Sequence, residues 1–77
     1  MIDIEFIRSW ADVDGWTEKI SLPHHVQFKR NKYFVNVYPN TGTVMIQNSG
    51  HGQHVYKKQT KEQIADILHD PYQFVKK

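Results

Sequence analysis

The sequence predicts an α+β fold: a four- or five-stranded antiparallel meander with two helices mainly on one face. Three observations predict it. Residues 25–59 divide into four short runs of alternating apolar and polar residues, separated by three turn signals. Thr60-Lys61-Glu62-Gln63 then matches a capping box, with an apolar stripe behind it. Ahead of the meander, residues 2–7 and 9–19 read as one further strand and one further helix. At 77 residues the chain is a single domain, 1–77, with a core small enough that its apolar face needs a full cover.

The elements follow in chain order. Ile2, Ile4 and Phe6 alternate with Asp3 and Glu5, the pattern of a half-buried strand along the sheet edge. Ser9 can cap a short helix, with Asp12 in the first turn, where negative charge suits the helix dipole. Trp10, Val13, Thr17 and Ile20 recur at helical spacing, with Trp16 beside them. Gly15 weakens that helix by about 1 kcal/mol relative to Ala, which leaves an extended segment as the alternative. Pro23 ends it, because the residue before proline avoids the helical region.

In the meander, Arg30-Asn31 reads as a two-residue turn that sets Phe28 opposite Tyr33 and Val26 opposite Val35. Pro39-Asn40-Thr41-Gly42 sets Val37 opposite Val44 and Val35 opposite Ile46. Ser49-Gly50-His51-Gly52 sets Ile46 opposite Val55. The three turns together place Val26, Phe28, Tyr33, Val35, Val37, Val44, Ile46 and Val55 on one face. The helix opened by Thr60 offers Ile64, Ile67 and Leu68 to cover that face, and it stops before Pro71. Tyr72, Phe74 and Val75 pack over the sheet edge or add one more turn, and Lys76-Lys77 fray.

The same register predicts a second, uncovered face bearing Gln27, Lys29, Lys32, Phe34, Asn36, Tyr38, Thr43, Met45, Gln47, His54, Tyr56 and Lys58. Charge singles this face out. Residues 1–20 carry Asp3, Glu5, Asp12, Asp14 and Glu18 against Arg8 and Lys19, whereas residues 21–59 carry Lys29, Arg30, Lys32, Lys57 and Lys58 against no acid. A basic sheet points to a polyanion or an acidic partner; the plainer reading is that the lysines keep the sheet soluble and its edges unpaired. Phe34, Tyr38 and Tyr56 would stack bases, Lys29, Lys32 and Lys58 would hold phosphates, and Asn36 and Gln47, with Met45 between them, would meet base edges.

The run Tyr33-Phe34-Val35-Asn36-Val37-Tyr38-Pro39-Asn40-Thr41-Gly42-Thr43-Val44-Met45-Ile46-Gln47 resembles the hairpin of TATA-box-binding-protein-like domains, including those appended to some type 2 ribonucleases H. That resemblance implies a curved antiparallel sheet backed by helices, with a concave face that binds nucleic acid, DNA or RNA. Two other readings of the face stand beside it. The N-terminal segment, with Trp10 and Trp16 to bury, would lie across it as a second core. Alternatively, the face docks a protein partner or a second copy of the chain, since aromatics and Met are enriched in such patches; small chains of this kind also suit phage or mobile-element regulators.

Composition and motifs argue against other classes. The chain has no cysteine, which excludes a disulfide scaffold and cysteine-based zinc or redox chemistry and favours the cytoplasm. Met1-Ile2-Asp3-Ile4-Glu5 lacks the charged start and apolar run of a signal peptide, and no stretch suits a membrane span. The histidines, His24, His25, His51, His54 and His69, read as turn and surface residues, so no metal or other cofactor is expected. Ser9, Ser21 and Ser49 lack the context of a nucleophile, Asp66 and Asp70 read as a solvated helix face, and Gly50-His51-Gly52 does not open a helix as a phosphate loop would. The expectation is a binding module, not an enzyme.

Overall fold

The structure, a computed structural model, describes residues 1–50 and 52–75. Its order is α1 (Ile4–Val13), β1 (Thr17–Leu22), β2 (His25–Arg30), β3 (Tyr33–Tyr38), β4 (Thr43–Asn48), β5 (Gly52–Tyr56), α2 (Lys61–His69) and a short α3 (Tyr72–Val75). The strands form one antiparallel sheet in sequence order, a five-stranded meander. The predicted α+β class is what the chain adopts.

The N-terminal elements differ from the sequence expectation. Residues 2–7 are not an edge strand. Asp3 caps α1, accepting hydrogen bonds from the backbone N–H of Glu5 at 3.1 Å and of Phe6 at 3.3 Å. Ile7 and Ala11, four apart, are the buried stripe of α1. Five residues of Ile-Asp alternation fit either period, and the continuation to Ile7 and Ala11 decides for the helix. The helix expected over 9–19 ends where that reading found it weakest. Gly15 takes φ +80°, the left-handed value that closes a helix. Residues 17–22 then supply the edge strand, with a bulge between Glu18 and Ile20.

The core lies between one sheet face and α1 and α2, which pack against each other. It holds Ile7 and Ala11, then Val26, Phe28, Tyr33, Val35, Val37, Val44 and Ile46 from the sheet, then Ile64, Ile67 and Leu68. Trp16 joins it: its indole N–H donates to the Leu68 carbonyl at 2.8 Å, while the Arg30 guanidinium lies 4.6 Å from its ring centroid. Trp16 therefore pins the α1–β1 turn to the end of α2. The Thr60 capping box forms as expected, Thr60 accepting from the Gln63 N–H and Gln63 from the Thr60 N–H.

Two turns depart from the predicted register, with opposite consequences. The first loop is Asn31-Lys32, not Arg30-Asn31, because Asn31 takes the left-handed position (φ +54°) and Arg30 stays in β2 to cover Trp16. Phe28 thus pairs with Val35 and Val26 with Val37. Moving a two-residue loop along by one changes every partner by two, so the faces survive. The third loop is shorter than predicted, because Gly52 (φ +84°) already pairs with Asn48. One residue fewer flips the whole of β5. Val55 pairs with Met45 and is 51% exposed, while His54 and Tyr56 turn to the helix side.

Between those loops the Pro39 turn forms as predicted, with Val37 opposite Val44 and Val35 opposite Ile46. Gly42 closes it at φ +73°, and a Cβ there would stand 2.9 Å from the Gln59 carbonyl oxygen. Gly50 has a similar φ of +80° but open space around it. Urea denaturation therefore separates the two: Gly50→Ala costs about 1 kcal/mol of backbone strain, and Gly42→Ala costs more because strain and collision add. Equal losses would show that the approach of Gln59 does not matter.

Candidate nucleic-acid interface

Because α1 and α2 sit on one side, no described helix covers the other sheet face, and the register gives its layout. One row across the strands reads Ile20, Gln27, Asn36, Met45, Val55. The next reads Thr17, Lys29, Phe34, Gln47, Gln53. A third holds Leu22 opposite His25 and Tyr38 opposite Thr43, with the His25 and Tyr38 rings stacked at 4.6 Å and 12°. The N-terminal tryptophans do not cover this face. Trp16 is buried on the helix side, and Trp10, 43% exposed, meets Phe6 edge-on within α1.

Of the sequence-predicted residues, the structure brings together Lys29, Phe34, Asn36, Tyr38, Met45 and Gln47. Lys29 Nζ lies 5.5 Å from the Phe34 ring centroid and donates to the Asn31 carbonyl. Three others stand apart. Lys32 is in the first hairpin loop and leans over Tyr33, a helix-side ring. Tyr56 faces the helix layer, where its hydroxyl donates to the Phe74 carbonyl and its ring meets Phe74 edge-on at 5.8 Å. Lys58 lies past the end of β5, beside the Gly42 turn, with φ +55°. His54, also expected on this face, pairs with Ile46 on the other. The expectation for His51 falls outside the described residues.

Sequence reasoning left Ile20, Leu22, His25, Gln53 and Val55 off this face. The position of His25 was legible, since it stands two and four residues before Gln27 and Lys29. The β1 pair depended on reading residues 17–22 as a strand, and the β5 pair on the length of a glycine-rich loop.

The centre of the face is an amide network around Asn36, which is 1% exposed. Asn36 Nδ2 donates to the Met45 carbonyl at 3.3 Å and to Gln47 Oε1 at 3.0 Å. Asn36 Oδ1 accepts from Gln27 Nε2 at 3.0 Å and meets His25 Nε2 at 2.8 Å. The Met45 carbonyl can only accept, so it fixes which way the Asn36 amide points. The remaining roles follow: Gln27 and His25 must donate, and Gln47 must accept. Next to this network, Gln27, Phe34, Gln47, Ser49, Gly52 and Gln53 line a shallow depression of ≈ 410 Å³.

Among the described residues, no side-chain carboxylate reaches this face. Asp3, Glu5, Asp12, Asp14, Glu62, Asp66 and Asp70 belong to α1, α2 or their caps. Glu18 is the one acid in the sheet, and it points to the helix side, where Arg8 holds it through Nε at 3.1 Å and Nη2 at 3.0 Å. Hydrogen bonds from Arg8, with a smaller one from Ser21, hold the Glu18 carboxyl below the usual carboxylate range against the opposing effect of burial. Among the described residues, no three His, Asp or Glu side chains gather to hold a metal ion. Nor is any helix long and apolar enough to cross a membrane.

Two variants test this geometry. Asn36→Ala costs about 1–3 kcal/mol in urea denaturation, and the near-isosteric Asn36→Asp costs more at pH 7, because a carboxylate oxygen then opposes the Met45 carbonyl. An Asp variant as stable as wild type would mean the amide points the other way. For Glu18, a folded pKa below the ordinary 4.5 means the ion pair stabilises fully above that pH and is lost as pH falls through the folded value. The gap in urea midpoint between wild type and Arg8→Gln is therefore widest above pH 4.5 and narrows below it. A gap independent of pH would show that Arg8 acts through packing instead.

Comparison with family models, with curated proteins and with solved structures returns no match for this chain.

Proposed function

We propose that this chain is a non-enzymatic, cytoplasmic nucleic-acid-binding module that lays a strand across its open sheet face. The observation that carries the reading is the combination of partly exposed rings with the absence, among the described residues, of any acid on that face. Phe34 and Tyr38 offer π-faces for bases, and Lys29 stands beside Phe34 to meet a phosphate. The eight Asp and Glu side chains lie in the helix layer or, as Glu18 does, turn towards it, so a polyanion approaches the one side that does not repel it. The likeness of residues 33–47 to TATA-box-binding-protein-like sheets points the same way, and a chain without cysteine suits a reducing compartment.

A second reading, a docking surface for a protein or a second copy, has its own support. Leu22 and Val55, at opposite edges of the sheet, are 47% and 51% exposed, with Met45 between them. Such a margin suits a dry contact more than a phosphate backbone.

Fluorescence anisotropy with a short labelled oligonucleotide distinguishes the two. Nucleic-acid binding predicts that log K falls against log salt with a slope of about −0.7, for the one phosphate met by Lys29. It also predicts that Phe34→Ala weakens binding by about 5- to 100-fold, the worth of one stacked base. Absence of oligonucleotide binding, together with a dimer that persists in high salt and dissociates in Val55→Glu, would reject this reading for the second.

A further inference from the structure

We infer that Gln27 and Gln47 form a base-reading pair, held in fixed and opposite orientations by Asn36, so that the face recognises unpaired bases and ranks them. This rests on the nucleic-acid reading above. The chain of reasoning starts at a backbone atom. The Met45 carbonyl accepts from Asn36 Nδ2, which turns Asn36 Oδ1 towards β2. Gln27 must then point its NH2 inward and its carbonyl oxygen outward. On the other side, Gln47 gives its oxygen to Asn36 Nδ2 and so turns its NH2 outward.

The outward atoms, Gln27 Oε1 and Gln47 Nε2, carry no hydrogen bond to another described residue. Both amides line the same depression as the Phe34 ring. A base stacked on Phe34 thus meets an acceptor on one side and a donor on the other. The chemistry that fits is a planar heteroaromatic with a donor and an acceptor on its edge. In a duplex the Watson–Crick edge is already occupied, so a pair that reads that edge takes a single strand. Because Asn36 is buried and bonded on both sides, neither glutamine can flip its amide to suit a different base without losing its bond to Asn36. That rigidity is what makes the pair discriminating.

The test is a panel of labelled homopolymer oligonucleotides, one strand of mixed sequence, its duplex, and a strand of abasic sites, titrated at fixed salt. The expected result is a spread of about tenfold among the homopolymers, with the duplex and the abasic strand weakest. Gln47→Glu keeps an acceptor for Asn36 but replaces the outward donor with an acceptor. Its added charge lowers every affinity alike; the expected further change is in the order of the homopolymers. Gln27→Leu compresses the spread, and thermal melts confirm that both variants fold. Equal affinity for all homopolymers, or an order unchanged in Gln47→Glu, overturns the base-reading pair and leaves the binding face in place. A duplex that binds as tightly as the single strand overturns it too. Absence of binding by any oligonucleotide overturns both proposals at once.

Discussion

The structure depends on the two-fold alternation of β3 and β4 combined with one-sided cover. Val35, Val37, Val44 and Ile46 are wholly removed from water beneath α1 and α2. Their neighbours in sequence, Phe34, Asn36, Met45 and Gln47, must then lie on the side that no described helix covers. A 77-residue chain has one core to build, and both helices are spent on it. Any residue of these two strands therefore has a fixed choice between core and open face, and a binding surface arises as the complement of the core.

The charge distribution follows the same division. The helix layer takes the acids because acids suit its caps and solvated faces, as at Asp3. Glu18 would be the exception, since it sits in a strand. Its register places it opposite Phe28, on the helix side, and Arg8 reaches down from α1 to hold it there. Arg30 does the equivalent with a cation, lying over Trp16 and donating to the Asp14 carbonyl at 2.8 Å. Charges that would confuse the open face are thus engaged behind it. What remains in front is Lys29, the amides of Gln27, Asn36, Gln47 and Gln53, three rings, two threonines, and the apolar Ile20, Leu22, Met45 and Val55.

Burying an amide at the centre of that face has a physical consequence beyond stability. Asn36 has its donors and its acceptor engaged, so it costs little to bury. It also transmits the polarity of one backbone carbonyl to two side chains on β2 and β4. A valine in its place would leave Gln27 and Gln47 without the bonds that hold them. The network is thus better explained as a means of holding polar groups in position than as a contribution to the core.

Local chemistry in the sequence determined β2 to β5 of the meander, the proline turn, the Thr60 cap and the apolar stripe of α2, because alternation and capping act over a few residues. It determined both faces of β2, β3 and β4, since the misplaced first turn preserved parity. Tertiary structure decided the rest. Whether residues 2–7 were helix or strand depended on Ile7 and Ala11 finding a core with α2. Whether β5 showed Tyr56 or Val55 to the open side depended on one residue of loop length, settled by Gly52 pairing with Asn48 and by Phe74 receiving the Tyr56 hydroxyl from the far end of the chain. A glycine with positive φ serves equally as the last residue of a turn or the first of a strand. The Phe74 carbonyl that chooses between them lies eighteen residues beyond Tyr56, at a distance no local pattern encodes.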